Sequence, residues 1–492
     1  MELRPYQEDT IFHLINSTFE RECICLPTGA GKTFIFSIFS GLMVAKGKRI
    51  VIAVHRSELM EQAKSQIIAQ TGLQVGVVTA KMKHLPTTDI VICMVETLAR
   101  RKKTLAYISE NYDILIVDEC HIGNFNKILA SFKRVIGFSA TPLAIKKNDS
   151  LANHYHEVYV PLQLVDLIPD YLCTPEFYGH PGAIAPSEFK LNVAGTDYDE
   201  KFMGDMLSSQ KFIYTTGNYV QRFCQGKRAV IYNANINHSI LVAKHLQSLG
   251  LNAHHLDGTT PDAERKVIIG RLFTEPDCII SNVGVLTTGF DCPEIEVIIL
   301  NRLTKSLSLY IQMAGRGSRN SNLINKEKFT IIDLCNNFEI NGFWQEPRDW
   351  EALFKKKKPN VTGIAPTKMC KECGYIVAIA VMVCPSCGYE FPAAKAEEPD
   401  DPRLVKIEFF KKELENIMDK VVNRGQNVYR GLHLIKEKIY FASPDSSLES
   451  LQSELLTQLP NWCSETGKRH NQWHKQFCNN IMKEFYDKYN PV

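Results

Sequence analysis

No apolar run in the sequence is long enough to cross a bilayer. The longest, Phe34 to Ala45, falls well short of the ~20 residues a spanning helix requires. It reads as a buried helix, and no membrane partner is expected. An excess of one charge is also missing. Lys and Arg number 57 against 54 Asp and Glu, a formal net charge of +3, too small to argue for a polyanionic partner from composition. Any basic groove must be local, and the runs Arg100 to Lys103 and Lys355 to Lys358 read equally well as solvated faces. No leader-like segment precedes the first motif, which begins at Leu3. A disulfide framework is not indicated either. The 15 cysteines are mostly single residues in apolar segments, as reduced core thiols are, and the expectation is a cytoplasmic protein. An apolar content of 45% and a charged content of 23% suit a globular chain of about three domains.

The chain is organised around Leu26-Pro27-Thr28-Gly29-Ala30-Gly31-Lys32-Thr33. A short apolar run precedes it and a helical run follows, giving strand, tight turn and helix. Glycines at Gly29 and Gly31 let backbone N–H groups cradle phosphate oxygens, with Thr28 and Ala30 completing the turn. The helix N-terminus adds a positive dipole end. Lys32 supplies a point charge for the β and γ phosphates of ATP, and the Thr33 hydroxyl can ligate Mg²⁺. Leu26 stands where the strict pattern has Gly, so the match is to the shorter form. The competing reading is a Gly-rich turn with a surface lysine.

Leu3-Arg4-Pro5-Tyr6-Gln7 precedes this turn. The Gln7 amide offers one donor and one acceptor to an adenine edge. After the turn, nearly continuous Val/Ile runs alternate with helical patterns, as in parallel strands buried on both faces. Strands are expected at 49–54, 89–95, 114–117 and 135–138, each ending in polar residues. Those ends form the rim where open α/β sheets bind ligands. At one of them Asp118 can hold Mg²⁺ and Glu119 can deprotonate an attacking water. An acidic turn after a strand is the alternative.

Residues 148–209 carry scattered prolines and no clear period, and read as an irregular connector. From Phe212 the βα pattern resumes, with strands expected at 229–232, 253–256, 278–280, 296–300 and 329–334. This second unit has no phosphate-binding turn. It does carry Thr287-Thr288-Gly289-Phe290-Asp291 and Gln312-Met313-Ala314-Gly315-Arg316-Gly317-Ser318-Arg319. Arginines three apart are expected on one helical face. Across a cleft they can neutralise charge on a γ-phosphate; an exposed basic helix is the other reading.

Taken in order, the 27–33 turn, Asp118-Glu119-Cys120-His121, Ser139-Ala140-Thr141, the 287–291 segment and the 312–319 segment resemble the superfamily 2 helicases of the DECH-box kind, over residues 1 to about 340. Within these the chain is most similar to the bacterial RadD DNA-repair proteins. The resemblance implies two tandem RecA-like α/β domains and an ATP-dependent helicase acting on DNA rather than RNA, in repair or recombination. It implies that Arg4 and Gln7 recognise adenine, and that Ser139 and Thr141 couple hydrolysis to movement. It implies that Gly289 and Asp291 sense nucleotide, and that Gln312, Arg316 and Arg319 complete the site. Arg56, Thr97, Thr287 and Thr288 match segments that touch the nucleic-acid backbone. It further implies the single-stranded-DNA-binding protein as a partner. The alternative is an ATP-gated clamp, or a remodelling subunit of a larger complex, that binds DNA without separating strands.

Beyond Phe343 the composition shifts. Cys370, Cys373, Cys384 and Cys387 form two CxxC knuckles, each followed by Gly and Tyr. This spacing predicts a closed, structural Cys₄ zinc ribbon. The remainder is read as helical; Cys463, His470, His474 and Cys478 read as ordinary helix residues more readily than as a second metal site. The expected organisation is an ATP-binding domain (1–147), a connector (148–210), a helicase C-terminal domain (211–343), a linker (344–367), the zinc ribbon (368–392) and a helical C-terminal region (393–492).

Overall fold

In the computed structural model, the strand β1 (Arg21–Cys25), which leads into the glycine turn, lies between two parallel neighbours. It belongs to a seven-stranded sheet with β2 (Ile50–Val54), β3 (Val75–Val78), β4 (Ile90–Met94), β5 (Ile114–Asp118), β6 (Arg134–Ser139) and β7 (Glu157–Tyr159). The order is β3-β4-β2-β5-β6-β1-β7, and every pairing is parallel. All residues of β2 and β5 are buried, as their Val/Ile runs require when helices cover both faces. The structure describes residues 3–80, 82, 84–143, 150–180, 183–287, 290–355 and 367–391. Thr288, Gly289 and the whole region 393–492, with Cys463, His470, His474 and Cys478, lie outside them.

The second sheet contains β8 (Thr174–Gly179), β9 (Ala229–Asn233), β10 (Ala253–Leu256), β11 (Ile279–Asn282), β12 (Val297–Asn301) and β13 (Lys328–Asp333). Its order is β10-β11-β9-β12-β13-β8, again wholly parallel. The expected strands of both halves are present within a residue or two. The segment 148–209 differs from its reading as an irregular connector. It supplies β7 to one edge of the first sheet and β8 to one edge of the second, followed by a helix at Glu200–Leu207. Pro175 sits inside β8, which an edge strand tolerates because one side needs no ladder donor. Both lobes lie in one compact unit, Met1–Pro392. Among the described residues no helix is long and apolar enough to cross a membrane.

A two-stranded antiparallel ribbon, β14 (Thr367–Met369) with β15 (Ile376–Ala378), closes the described part. It sits on the β8 edge: the Gly179 N–H donates to the Gly374 carbonyl at 2.8 Å. Gly374 has φ +76°, and a Cβ there would lie 2.7 Å from the Gly179 oxygen, so only glycine fits this approach.

Candidate active site

The glycine turn forms one wall of a cleft of about 430 Å³. Gly29 and Gly31 have φ of +89° and +80°, and added Cβ atoms would lie 2.7 Å from Leu172 and from the Gln7 amide. Both conformation and space demand glycine there. Lys32 opens the following helix, Lys32–Ala45, and its Nζ donates to the Leu26 carbonyl at 3.3 Å. Beside the turn, the Gln7 amide donates to the Ala30 carbonyl and accepts from the Arg4 N–H, each at 3.0 Å. A second N–H and a second lone pair remain on that amide. The Arg4 guanidinium lies 4.0 Å over the Tyr171 ring, and the Tyr6 hydroxyl donates to Ala30 O at 3.0 Å. With Tyr6 edge-on to Tyr171, these groups make a cationic and aromatic patch next to the glycine turn.

Asp118 ends β5, and both Asp118 and Glu119 line the cleft. Glu119 has φ 52°, a left-handed conformation costly for a side chain of its size. Burial, with the Glu119 charge beside it, raises the Asp118 carboxyl to about 7. Burial pushes Glu119 up as well, but Lys32, His121 and Arg316 outweigh it and hold that carboxyl below its usual range. Glu119 Oε2 is buried without a hydrogen bond and lies 3.4 Å from His121 Nδ1.

His121 connects this corner to two other segments. Its Nδ1 lies 2.9 Å from Ser139 Oγ, and its Nε2 lies 3.4 Å from the Gln312 amide nitrogen in the second lobe. An amide nitrogen can only donate, so Nε2 accepts and the proton sits on Nδ1, directed at Ser139. Burial keeps the imidazole neutral by lowering its pKa. Ser139 Oγ donates to Thr141 O at 2.8 Å, and Thr141 Oγ1 donates to Ser308 Oγ of the second lobe at 2.7 Å. A continuous polar chain therefore runs from Glu119 to the helix Leu307–Ala314. Reading the sequence assigned no role to His121, although it stands in the 118–121 motif. Ser308 and Tyr171 carry no local signal that would have found them.

Gln312, Arg316, Arg319 and Asp291 form the opposite wall. The two arginines do not share a helical face. The helix ends at Ala314, Arg316 lies in the 3-10 turn Gly315–Gly317, and Arg319 is extended, bridging to Leu172. In that turn Gly317 packs tightly, since a Cβ there would lie 2.5 Å from Phe329. Both side chains still reach the cleft. Arg316 is buried; its Nε donates to the Thr287 carbonyl at 3.0 Å, Nη2 donates to the same oxygen, and Nη1 donates to Phe290 O. Arg319 pairs with Asp291.

Of the residues matched to backbone contact, Arg56 follows β2, Thr97 lies in the helix Val95–Arg100 after β4, and Thr287 follows β11. All three stand at carboxyl ends of strands, on the same rim as the cleft, but none lines it. In the ribbon, the four cysteine sulfurs lie within 4.8 Å of one another, with Cys370 to Cys387 and Cys373 to Cys384 at 3.5 Å each. The two knuckles repeat one geometry, with Gly374 N–H donating to Cys370 O and Gly388 N–H to Cys384 O, both at 2.9 Å.

Residues 1–144 match the family described as Type III restriction enzyme, res subunit, and residues 215–321 match the Helicase conserved C-terminal domain. A 51.5 kDa protein of a Lactococcus phage is 26% identical over 446 residues, covering 87% of this chain and 93% of the phage protein. Saccharomyces cerevisiae IRC3, named as an ATP-dependent helicase, is 28% identical over 359 residues; these cover 68% of this chain and 51% of IRC3, so the chain spans about half of that relative. The solved structure of the ATP-dependent Type ISP restriction-modification enzyme LlaBIII, bound to DNA, aligns with a TM-score of 0.52 at 16% identity, covering 72% of this chain and 29% of that one. That last likeness is one of fold.

Proposed function

From a chain that carries both domains of a superfamily 2 ATP-dependent helicase, we propose a DNA helicase or translocase whose two lobes close on ATP and step along the strand as it is hydrolysed. The observation that supports this most is the two-sided cleft, with the phosphate turn and paired carboxylates on one wall and the guanidiniums of Arg316 and Arg319 on the other. Lys32 holds the β and γ phosphates, Glu119 takes the proton of the attacking water, and Arg316 and Arg319 meet the charge that gathers on the γ-phosphate. Arg4, Gln7 and Tyr171 receive the base. Gly289 and Asp291 report the nucleotide to the second lobe. Arg56, Thr97, Thr287 and Thr288 hold the DNA backbone, so affinity is expected to fall steeply with salt and to depend little on sequence.

The donor set fits Mg²⁺. Asp118 is a buried carboxylate beside a second one, and among the described residues no Lys or Arg lies within salt-bridge range of either. The Thr33 hydroxyl and Asp118 would hold the ion, which when bound neutralises phosphate charge. The four thiols likewise fit zinc, whose ~2.3 Å bonds put tetrahedral sulfurs close to the separations seen here. Replacing Cys384 by Ser should lower bound zinc and unfold the ribbon, while ATP turnover by the two complete sheets persists. Unchanged zinc by metal analysis of that variant would contradict the assignment.

Ser139 and Thr141 carry hydrolysis into movement through the hydroxyl pair across the lobes. Thr141→Val keeps the shape and removes the bond to Ser308. A hydrogen bond of about 1 kcal/mol net corresponds to a loss of about fivefold. That loss should appear in strand displacement per ATP hydrolysed, with ATP binding unchanged; equal coupling ratios in the two proteins would overturn this role. The RadD resemblance supports DNA repair as the setting. Turnover measured with single-stranded DNA, duplex, forks and RNA tests the proposal as a whole, and preference for DNA is expected.

A further inference from the structure

Val193 is fully solvent-exposed, at 109% of its reference surface, and Leu191 beside it is 44% exposed. They stand on the turn Leu191–Tyr198, whose ends pair in an antiparallel bridge. An apolar side chain at a loop tip gains nothing from water, and a floppy tip would fold it back. This turn is held stiff. Asn192 N–H donates to Asp197 O at 2.8 Å, Gly195 N–H donates to Asn192 O at 2.8 Å, and Thr196 N–H donates to Asn192 Oδ1 at 3.1 Å.

The turn is also fastened to the second lobe at a particular place. Asp197 accepts from the Thr304 hydroxyl at 2.6 Å and from the Lys305 N–H at 2.7 Å. Thr304 and Lys305 lie between β12 and the helix Leu307–Ala314, which carries Ser308 and Gln312. On the other side, Asn235, just past β9, donates to the Glu200 carbonyl at 3.4 Å. The turn therefore stands over the carboxyl ends of β9 and β12, the rim that also carries Thr287. Three exposed lysines border it: Lys201, Lys190 with its ammonium 4.6 Å from the Phe202 ring centre, and Lys305 with its ammonium 5.5 Å from that of Tyr198. The neighbouring acids each have a partner, although the Glu200 side chain is largely exposed. Asp197 anchors the turn, Asp199 caps the helix Glu200–Leu207, and Glu200 pairs with Arg302 at 3.1 Å.

We propose that this turn is a nucleic-acid site in which Val193, backed by Leu191, presses on a base step at the junction of single and double strand while the three lysines hold the flanking phosphates. The proposal rests on the helicase reading. An apolar wedge against a base step partly unstacks it, at a few kcal/mol that backbone contacts offset. A wedge helps only if it cannot retreat, and the Asp197 bonds supply that rigidity. They also tie the wedge to the segment entering the cleft helix.

The test uses the full chain and a forked DNA duplex. Val193→Asp should slow fork unwinding by at least about tenfold, with turnover stimulated by single-stranded DNA within about twofold of the parent. Val193→Ile should unwind as the parent does. A benzophenone side chain at position 193 should crosslink to the bases at the fork junction. Parental unwinding by Val193→Asp, absence of junction crosslinks, or a parallel fall in unwinding and turnover would each overturn the wedge. Failure of the parent chain to unwind any fork while hydrolysing ATP would instead remove the helicase reading beneath it.

Discussion

Arg316→Ala is expected to lower nucleic-acid-stimulated ATP turnover by about 10³–10⁵, the range lost with an arginine finger. The phosphate turn belongs to the first lobe, and the guanidiniums facing it across the cleft come from the second. A guanidinium carries five N–H donors. Three are used on the Thr287 and Phe290 carbonyls, which hold the group in place and leave the remaining donors for a phosphate. Truncation also strips those buried carbonyls of their partner, at about 1–3 kcal/mol of stability. The comparison must therefore be made on folded protein, judged by a cooperative melt whose transition, though lowered, stays well above the assay temperature. ATP binding should fall less than hydrolysis, because Lys32 and the Arg4–Tyr171 patch remain. Lysine at this position should not rescue turnover, since a compact ammonium lacks the planar fork that spans the two carbonyls and a phosphate. Parental turnover by folded Arg316→Ala protein would mean that the second lobe does not complete the site.

Glu119→Gln should retain ATP binding and slow the chemical step by about 10²–10⁴, the contribution of a positioned acid or base. Glutamine preserves size and the turn at φ 52° but cannot accept the water's proton. The change removes the charge that Lys32, His121 and Arg316 favour, so both proteins should be compared well below their melting transitions. With hydrolysis blocked, the lobes stay closed on ATP, and the variant should hold DNA more tightly with ATP than without it. Single-turnover hydrolysis and DNA retention read the two halves of this expectation. Weaker retention in ATP would contradict it.

The parallel sheets were legible in the sequence because strands buried on both faces are written as short Val/Ile runs, and the β-branched content and length of those at β2, β5 and β12 favour strand over buried helix. The edge strands β7 and β8 were not, because an edge tolerates Pro175 and needs no continuous apolar run. The residues that meet in the cleft were legible as motifs at strand ends. The arrangement of Arg316 and Arg319 was misread as one helical face, since three-residue spacing suggests a helix, whereas the helix ends at Ala314. The bonds from Thr141 to Ser308 and from His121 to Gln312 join residues distant in sequence, and no local pattern encodes them. The same holds for the Leu191–Tyr198 turn, whose rigidity depends on Asp197 meeting Thr304.

The central claim is that ATP hydrolysis in this cleft is coupled to nucleic acid on the adjoining rim. Steady-state ATP turnover by the full chain, with and without single-stranded DNA at low and high salt, tests it most directly. The expected result is strong stimulation at low salt that fades as salt rises, because phosphate contacts release counterions. Turnover that no polynucleotide alters at any salt concentration would contradict the claim.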